Sequence, residues 1–154
     1  MCAKNKNLLS IIVADDDSDD REMIREAMAE SKILNQVVFV EDGVELLKYL
    51  HRKDKYADRE KFPVPGVILL DLNMPKKDGR ESLREIKAHP DFRRIPVIIL
   101  TTSKSEEDIL KMYNLGVNCF ITKPVTFEAL MNVIKTLGKY WFEISELPPT
   151  YSLP

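Results

Sequence analysis

At 154 residues, with 44% hydrophobic and 31% charged side chains, the chain has the make-up of one globular domain, long enough for a real core and too short for two ordinary ones. Its 25 acids against 23 bases leave a net charge of −2, which argues against a nucleic-acid partner and against an anionic membrane surface. No segment approaches the roughly 20 apolar residues of a membrane span, and Cys2 and Cys119 form neither a disulfide framework nor a paired zinc-site spacing, so a reduced, cytoplasmic setting is expected.

Met1 to Asn7 is polar and is expected to be a disordered lead-in. Leu8 to Ala14 is a short apolar run that stops at Asp15, Asp16 and Asp17, which predicts a first buried strand. Ser18 suits an N-cap, Asp19, Asp20 and Glu22 suit the positive end of a helix, and Ile24, Ala27 and Met28 give that helix its inward stripe. Val37 to Val40 predicts a second strand; Asp42-Gly43 reads as a turn, and Val44, Leu47 and Leu50 follow at helical spacing. The charged stretch from His51 to Pro65 is expected to be an exposed connection within one domain.

Val67 to Leu70 runs without a polar break into Asp71, as a strand buried on both faces does. Arg80 to Ala88 carries Leu83 and Ile86 in a short amphipathic helix that ends before His89-Pro90. Pro96 to Thr101 is a fourth apolar strand. Ser105 with Asp108 resembles a capping box for a helix through Ile109, Met112 and Tyr113, which Gly116 stops. Val117 to Thr122 is the fifth strand, Lys123-Pro124 follows, and Phe127, Leu130, Ile134, Leu137 and Trp141 keep helical spacing in a last helix. Glu143 to Pro154 is a proline-containing tail. Alternating strands and helices predict right-handed crossovers and a doubly wound, five-stranded parallel α/β sheet of flavodoxin-like order.

In such a sheet the carboxyl ends of the strands share one edge. Asp15 and Asp16 then meet Asp71, Thr101 and Lys123 there, although an isolated Asp71 would read as a strand-end turn residue. Three neighbouring carboxylates repel by roughly 1–4 kcal/mol per pair, and a divalent ion together with Lys123 would cancel them. Oxygen ligands without a His or Cys cluster suit Mg²⁺.

Asp15-Asp16, the run Asp71-Leu-Asn-Met-Pro-Lys-Lys-Asp-Gly79, Thr101 and Lys123-Pro124 stand in the order found in the receiver domain of bacterial response regulators, which the chain resembles from about Leu9 to Leu137. The receiver unit would occupy residues 8–142, with 143–154 as tail. The resemblance implies that Asp71 is a nucleophile phosphorylated by a histidine kinase. Asp16, Asp71 and the backbone carbonyl of Asn73 would bind Mg²⁺, and Asp15 would hold a coordinated water. Lys123 and Thr101 would bind phosphoryl oxygens. It also implies a cis Lys123–Pro124 peptide that aims Lys123, and a switch pairing Thr101 with Phe120, which is otherwise a core residue.

Three features, the long charged loop before the third strand, the Pro-Lys-Lys-Asp-Gly-Arg-Glu sequence after it, and Leu-Thr-Thr-Ser-Lys-Ser-Glu-Glu-Asp-Ile, resemble stand-alone regulators that partner phytochrome-type kinases. That subgroup implies a homodimer through the fourth helix, fifth strand and fifth helix. Tyr140, Trp141, Phe142 and Ile144 offer more apolar surface than one inward stripe uses, so they read either as a contact patch or as cover from a folded-back tail. His51 and His89 read as surface residues. Two other classes fit less well. Haloacid-dehalogenase-like phosphatases need a second acid two residues after the nucleophile, where Asn73 stands, and a non-phosphorylated pseudo-receiver would not keep the whole acidic, hydroxyl and lysine set.

Overall fold

The computed structural model describes residues 10–31, 35–144 and 147–148, and for residues 142–144 the backbone alone. The lead-in, Leu8, Leu9 and most of the tail lie outside these residues, as do the side chains of Phe142 and Ile144. The chain alternates β1 (Ser10–Ala14), α1 (Ser18–Glu30), β2 (Gln36–Val40), α2 (Gly43–Leu50), β3 (Pro65–Leu70), α3 (Gly79–Ala88), β4 (Val97–Thr101), α4 (Glu106–Leu115), β5 (Cys119–Thr122) and α5 (Phe127–Gly138). All strand pairs are parallel, in the order β2-β1-β3-β4-β5. The expected flavodoxin-like sheet is therefore present.

Successive residues on the central strands face opposite layers, because side chains alternate along a strand. Ile12, Ala14, Ile68, Leu70, Val97 and Ile99 pack under α2, α3 and α4 with Leu46, Leu83, Ile86 and Met112. Ile11, Val13, Val67, Leu69, Ile98 and Leu100 pack under α1 and α5 with Ile24, Ala27, Met28, Leu130 and Ile134. Both faces of β3 are covered, which is why its sequence is a continuous apolar run.

Most helices start where a side chain supplies the missing acceptor. Asp42, Asp78, Ser105 and Thr126 each accept a backbone N–H of the first turn. For α1 the cap is Asp17, which accepts from Asp19 and Asp20, and not Ser18. A carboxylate is the stronger acceptor, and the shift by one residue places Ser18 inside the helix. Asp42-Gly43 is likewise a cap and first helical residue. At Gly43 a Cβ would come within 2.4 Å of the Lys77 carbonyl, and the Gly43 N–H donates to that oxygen at 2.9 Å. Gly116 ends α4 at φ 101°, in the left-handed region that glycine tolerates.

The stretch from His51 to Pro65 is more structured than its charge suggests. A single 3₁₀ turn, Asp54–Ala57, turns Tyr56 inward to stack on Tyr49 at 5.2 Å, with Phe62 edge-on to both. Tyr56 donates to Glu45 Oε1 at 2.7 Å, and Arg52 donates to the Phe62 carbonyl. Two aromatics without periodicity anchor this loop, so no helical or strand pattern announces them. His51 and His89 also meet, edge to face at 5.4 Å, with Phe92 stacked on His89 at 3.8 Å.

At the other end of the domain, α5 gives way to a π-helical segment, Lys139–Ile144. Trp141 packs against the cluster beneath α1 and α5, and Leu147, 2% exposed, is buried in that same cluster. Part of the aromatic and apolar excess at this end therefore covers the protein's own core. Among the described residues no helix is long and apolar enough to cross a membrane.

Candidate functional site

Four strand ends and one helix start build a single pocket of charge. Asp15 follows β1, with its N–H on the Val40 carbonyl at 3.0 Å, and Asp71 follows β3, with its N–H on the Ala14 carbonyl at 3.0 Å. The sheet ladder thus carries both carboxylates to the same edge. Thr101 ends β4 fully buried, and Lys123 follows β5 with its N–H on the Thr101 carbonyl at 2.7 Å. α3 comes close behind Asp71 because Gly79 has no side chain. A Cβ there would sit 2.2 Å from the Asp71 carbonyl oxygen and 2.8 Å from Leu72 Cα.

Asp71 is 6% exposed, and each of its oxygens is held. Oδ1 accepts from the Thr101 hydroxyl at 2.7 Å and from the Asn73 N–H at 3.2 Å, and Oδ2 accepts from Lys123 Nζ at 2.8 Å. Lys123 also donates to Asp15 Oδ2 at 2.6 Å and to Asp20 Oδ2 at 2.7 Å. Asp15, 2% exposed, accepts from the Asp17 N–H at 3.0 Å, and Arg21 steadies its carbonyl at 2.9 Å. Burial alone would depress the Lys123 ammonium, but hydrogen bonds to Asp15, Asp20 and Asp71 outweigh it and hold Lys123 above the ordinary lysine range. Burial pushes the Asp15 carboxyl up, an effect that its bonds to Lys123 and Asp17 partly offset.

Asp15, Asp16 and Asp71 each present an oxygen within 4.8 Å of the others, with Asp16 on the exposed side. An all-carboxylate set, two members buried and one open to solvent, fits a hard divalent cation and does not suit a zinc site. Asn73 is exposed beside it. Phe120 is half-buried, lies opposite Ile99 in the β4–β5 register, and packs against the core beneath α2 to α4.

One expectation is corrected: the Lys123–Pro124 peptide is trans. Lys123 reaches all three carboxylates across the isomer that X–Pro bonds ordinarily favour, by about 0.5–1 kcal/mol, so its direction does not depend on a cis bond. In the sequence Asp20 presents as an acid suited to a helix N-terminus. Its spacing held a further signal, since Asp20, Ile24 and Ala27 continue the inward stripe of α1 back by one turn.

A buried carboxylate at the end of the central strand, held by a lysine and a hydroxyl from two neighbouring strands beside an acidic pair, agrees with the family match. The response regulator receiver domain matches residues 11–135. The chain belongs to that family.

Among its receiver relatives, response regulator Rcp1 of Synechocystis sp. is 39% identical over 138 residues, which cover 90% of this chain and 92% of Rcp1. The solved structure of the phosphorylated cyanobacterial phytochrome response regulator RcpA superposes with a TM-score of 0.85 at 42% identity, over 92% of this chain and 99% of RcpA. The Mn²⁺-bound form of Rcp1 gives 0.83 at 38% identity, over 92% and 99% of the two chains. The chain is a receiver domain, and its cluster of Asp15, Asp16 and Asp71 fits the phosphoacceptor site.

Proposed function

We propose that this receiver accepts a phosphoryl group on Asp71 from the phosphohistidine of a sensor histidine kinase. An Asp71 oxygen would attack phosphorus in line with the leaving imidazole; the O–P bond forms as the N–P bond breaks and the ring takes up one proton from water, leaving an acyl phosphate and a neutral histidine. The observation that carries this reading is the arrangement at Asp71, a buried carboxylate with Lys123 and Thr101 donating to its two oxygens. Those donors lie where phosphoryl oxygens would develop charge, and phosphoryl transfer depends more on positioning and neutralisation than on a general base.

Asp15, Asp16, Asp71 and the Asn73 carbonyl would hold Mg²⁺, which would supply charge neutralisation for the incoming phosphoryl group. The metal-bound form of Rcp1 supports a divalent ion here. Position 73 bears a neutral amide, so no second acid follows Asp71 to turn over an external phosphate ester, and the protein would catalyse only its own phosphorylation and dephosphorylation. Thr101 would leave Asp71 Oδ1 for a phosphoryl oxygen, and Phe120 on the adjacent strand would follow it into the vacated space.

The likeness to RcpA, a cyanobacterial phytochrome response regulator, favours a phytochrome-type kinase as partner, with the cytoplasm as the expected setting. A homodimer through α4, β5 and α5 is supported by Leu110 and Tyr113 of α4, which are 63% and 48% exposed. The test of the central reading is incubation with Mg²⁺ and acetyl phosphate, followed by intact mass. One phosphoryl group is expected on the wild type and none on Asp71→Asn; equal phosphate on both would move the site elsewhere.

A further inference from the structure

Lys123 has three N–H donors, and the structure spends each on a different carboxylate: Asp15 at 2.6 Å, Asp20 at 2.7 Å and Asp71 at 2.8 Å. Two of those partners have other work. Asp15 and Asp71 belong to the acidic cluster that fits a divalent ion, and Asp71 is the proposed phosphoacceptor. Asp20 lies outside that cluster. It sits in the first turn of α1, with its N–H tied to the Asp17 cap at 3.2 Å and its side chain three-quarters buried.

We infer that Asp20 is a positioning residue for Lys123. It keeps the ammonium over Asp71 when a cation draws Asp15 and Asp71 away. A lysine has four rotatable side-chain bonds and strong hydration, so an ammonium that loses two of three partners would otherwise swing toward water. The Asp20 carboxylate is fixed to a rigid helix start and keeps one N–H engaged, leaving two free to meet phosphoryl oxygens. The inference rests on the proposed phosphorylation of Asp71 and names a residue that acts on Lys123 rather than on the phosphoryl group.

The test compares wild type, Asp20→Ala, Asp20→Asn and Asp19→Ala. Asp19 is an exposed acid of the same helix turn that donates its N–H to the same Asp17 oxygen, so its variant carries the helix-end charge effect alone. In metal-free protein the ¹⁵N-labelled Lys123 ammonium should give a slowly exchanging signal that survives in Asp19→Ala and is lost in Asp20→Ala. With Mg²⁺ and acetyl phosphate, Asp20→Ala should lower the maximal phosphorylation rate by roughly tenfold or more, as loss of a positioning contact does. The Mg²⁺ concentration for half-maximal rate should stay unchanged, and Asp20→Asn, which keeps an acceptor oxygen, should recover most of the rate.

An Asp20→Ala variant that is phosphorylated like wild type overturns the inference. So does one whose loss is entirely a shift in Mg²⁺ dependence, because Asp20 would then be a metal ligand. Failure of the wild type itself to take up phosphate would instead sink the reading of Asp71, so the two failures are distinguishable.

Discussion

Replacing Lys123 by Met removes the cation that bonds all three carboxylates and keeps much of the side-chain volume. The lysine side chain is 8% exposed, and those of Asp15 and Asp71 are 3% and 8% exposed, so these charges sit largely out of water. Removing one member of a buried ion pair costs about 3–5 kcal/mol, because the remaining charge keeps its desolvation penalty and loses its partner. For a domain of this size each kcal/mol is worth about 2–4 °C, so metal-free Lys123→Met should melt about 6–20 °C below wild type. Circular dichroism melts in chelator at neutral pH measure this. Saturating Mg²⁺ should then restore more stability to the variant than it adds to wild type, since the cation meets carboxylates no longer neutralised by Lys123. A metal-free variant as stable as wild type, or an equal Mg²⁺ increment in both, would refute the view that Lys123 is the counter-charge of the free site.

Other perturbations probe the surroundings of the site. Gly79→Ala should lose about 1–3 kcal/mol in urea unfolding, because the new methyl group meets backbone atoms of Asp71 and Leu72 that cannot yield. Arg80 grips Asp108 through Nε–Oδ1 at 3.0 Å and Nη2–Oδ2 at 2.8 Å, tying the start of α3 to the start of α4. The hydrogen bond from Arg80 holds the Asp108 carboxyl below its usual range. A depressed folded-state value means stability that is present above the unfolded value, near pH 4, and lost as pH falls through the folded one. Asp108→Asn should therefore be less stable by about 1 kcal/mol at pH 7, with the gap closing below about pH 4; a gap independent of pH would show that the ion pair is not its source. For the proposed dimer, Leu110→Ser with Tyr113→Ser should shift light scattering to the monomer mass, and a wild type already monomeric at high concentration would remove that surface from the account.

The fold was legible because each strand is an apolar run ended by a charged or hydroxyl residue, and each helix carries apolar residues at helical spacing. Asp71, Asp15, Thr101 and Lys123 could be placed together from strand ends alone, since parallel topology aligns those ends. Asp20 has a second good reason for its presence, since acids in a first turn favour the helix dipole, and only the reach of Lys123 reveals its other role. Tyr56 and Phe62 were obscured by the charges around them. Trp141 and Leu147 show the opposite ambiguity, for an apolar cluster near a chain end reads equally as a contact surface or as core cover, and only packing separates the two. Residue types alone do not separate a cis from a trans Lys123–Pro124 peptide, and the ordinarily favoured trans isomer is the one present.

The central claim is chemical and local, that Asp71 itself becomes the acyl phosphate. Phosphorylated protein reduced with borohydride converts an aspartyl phosphate to homoserine, and peptide mass mapping then reads the position. The account predicts homoserine at residue 71 alone, dependent on Mg²⁺. Homoserine at Asp15, Asp16 or Asp20, or phosphate that survives reduction on another residue, would contradict it.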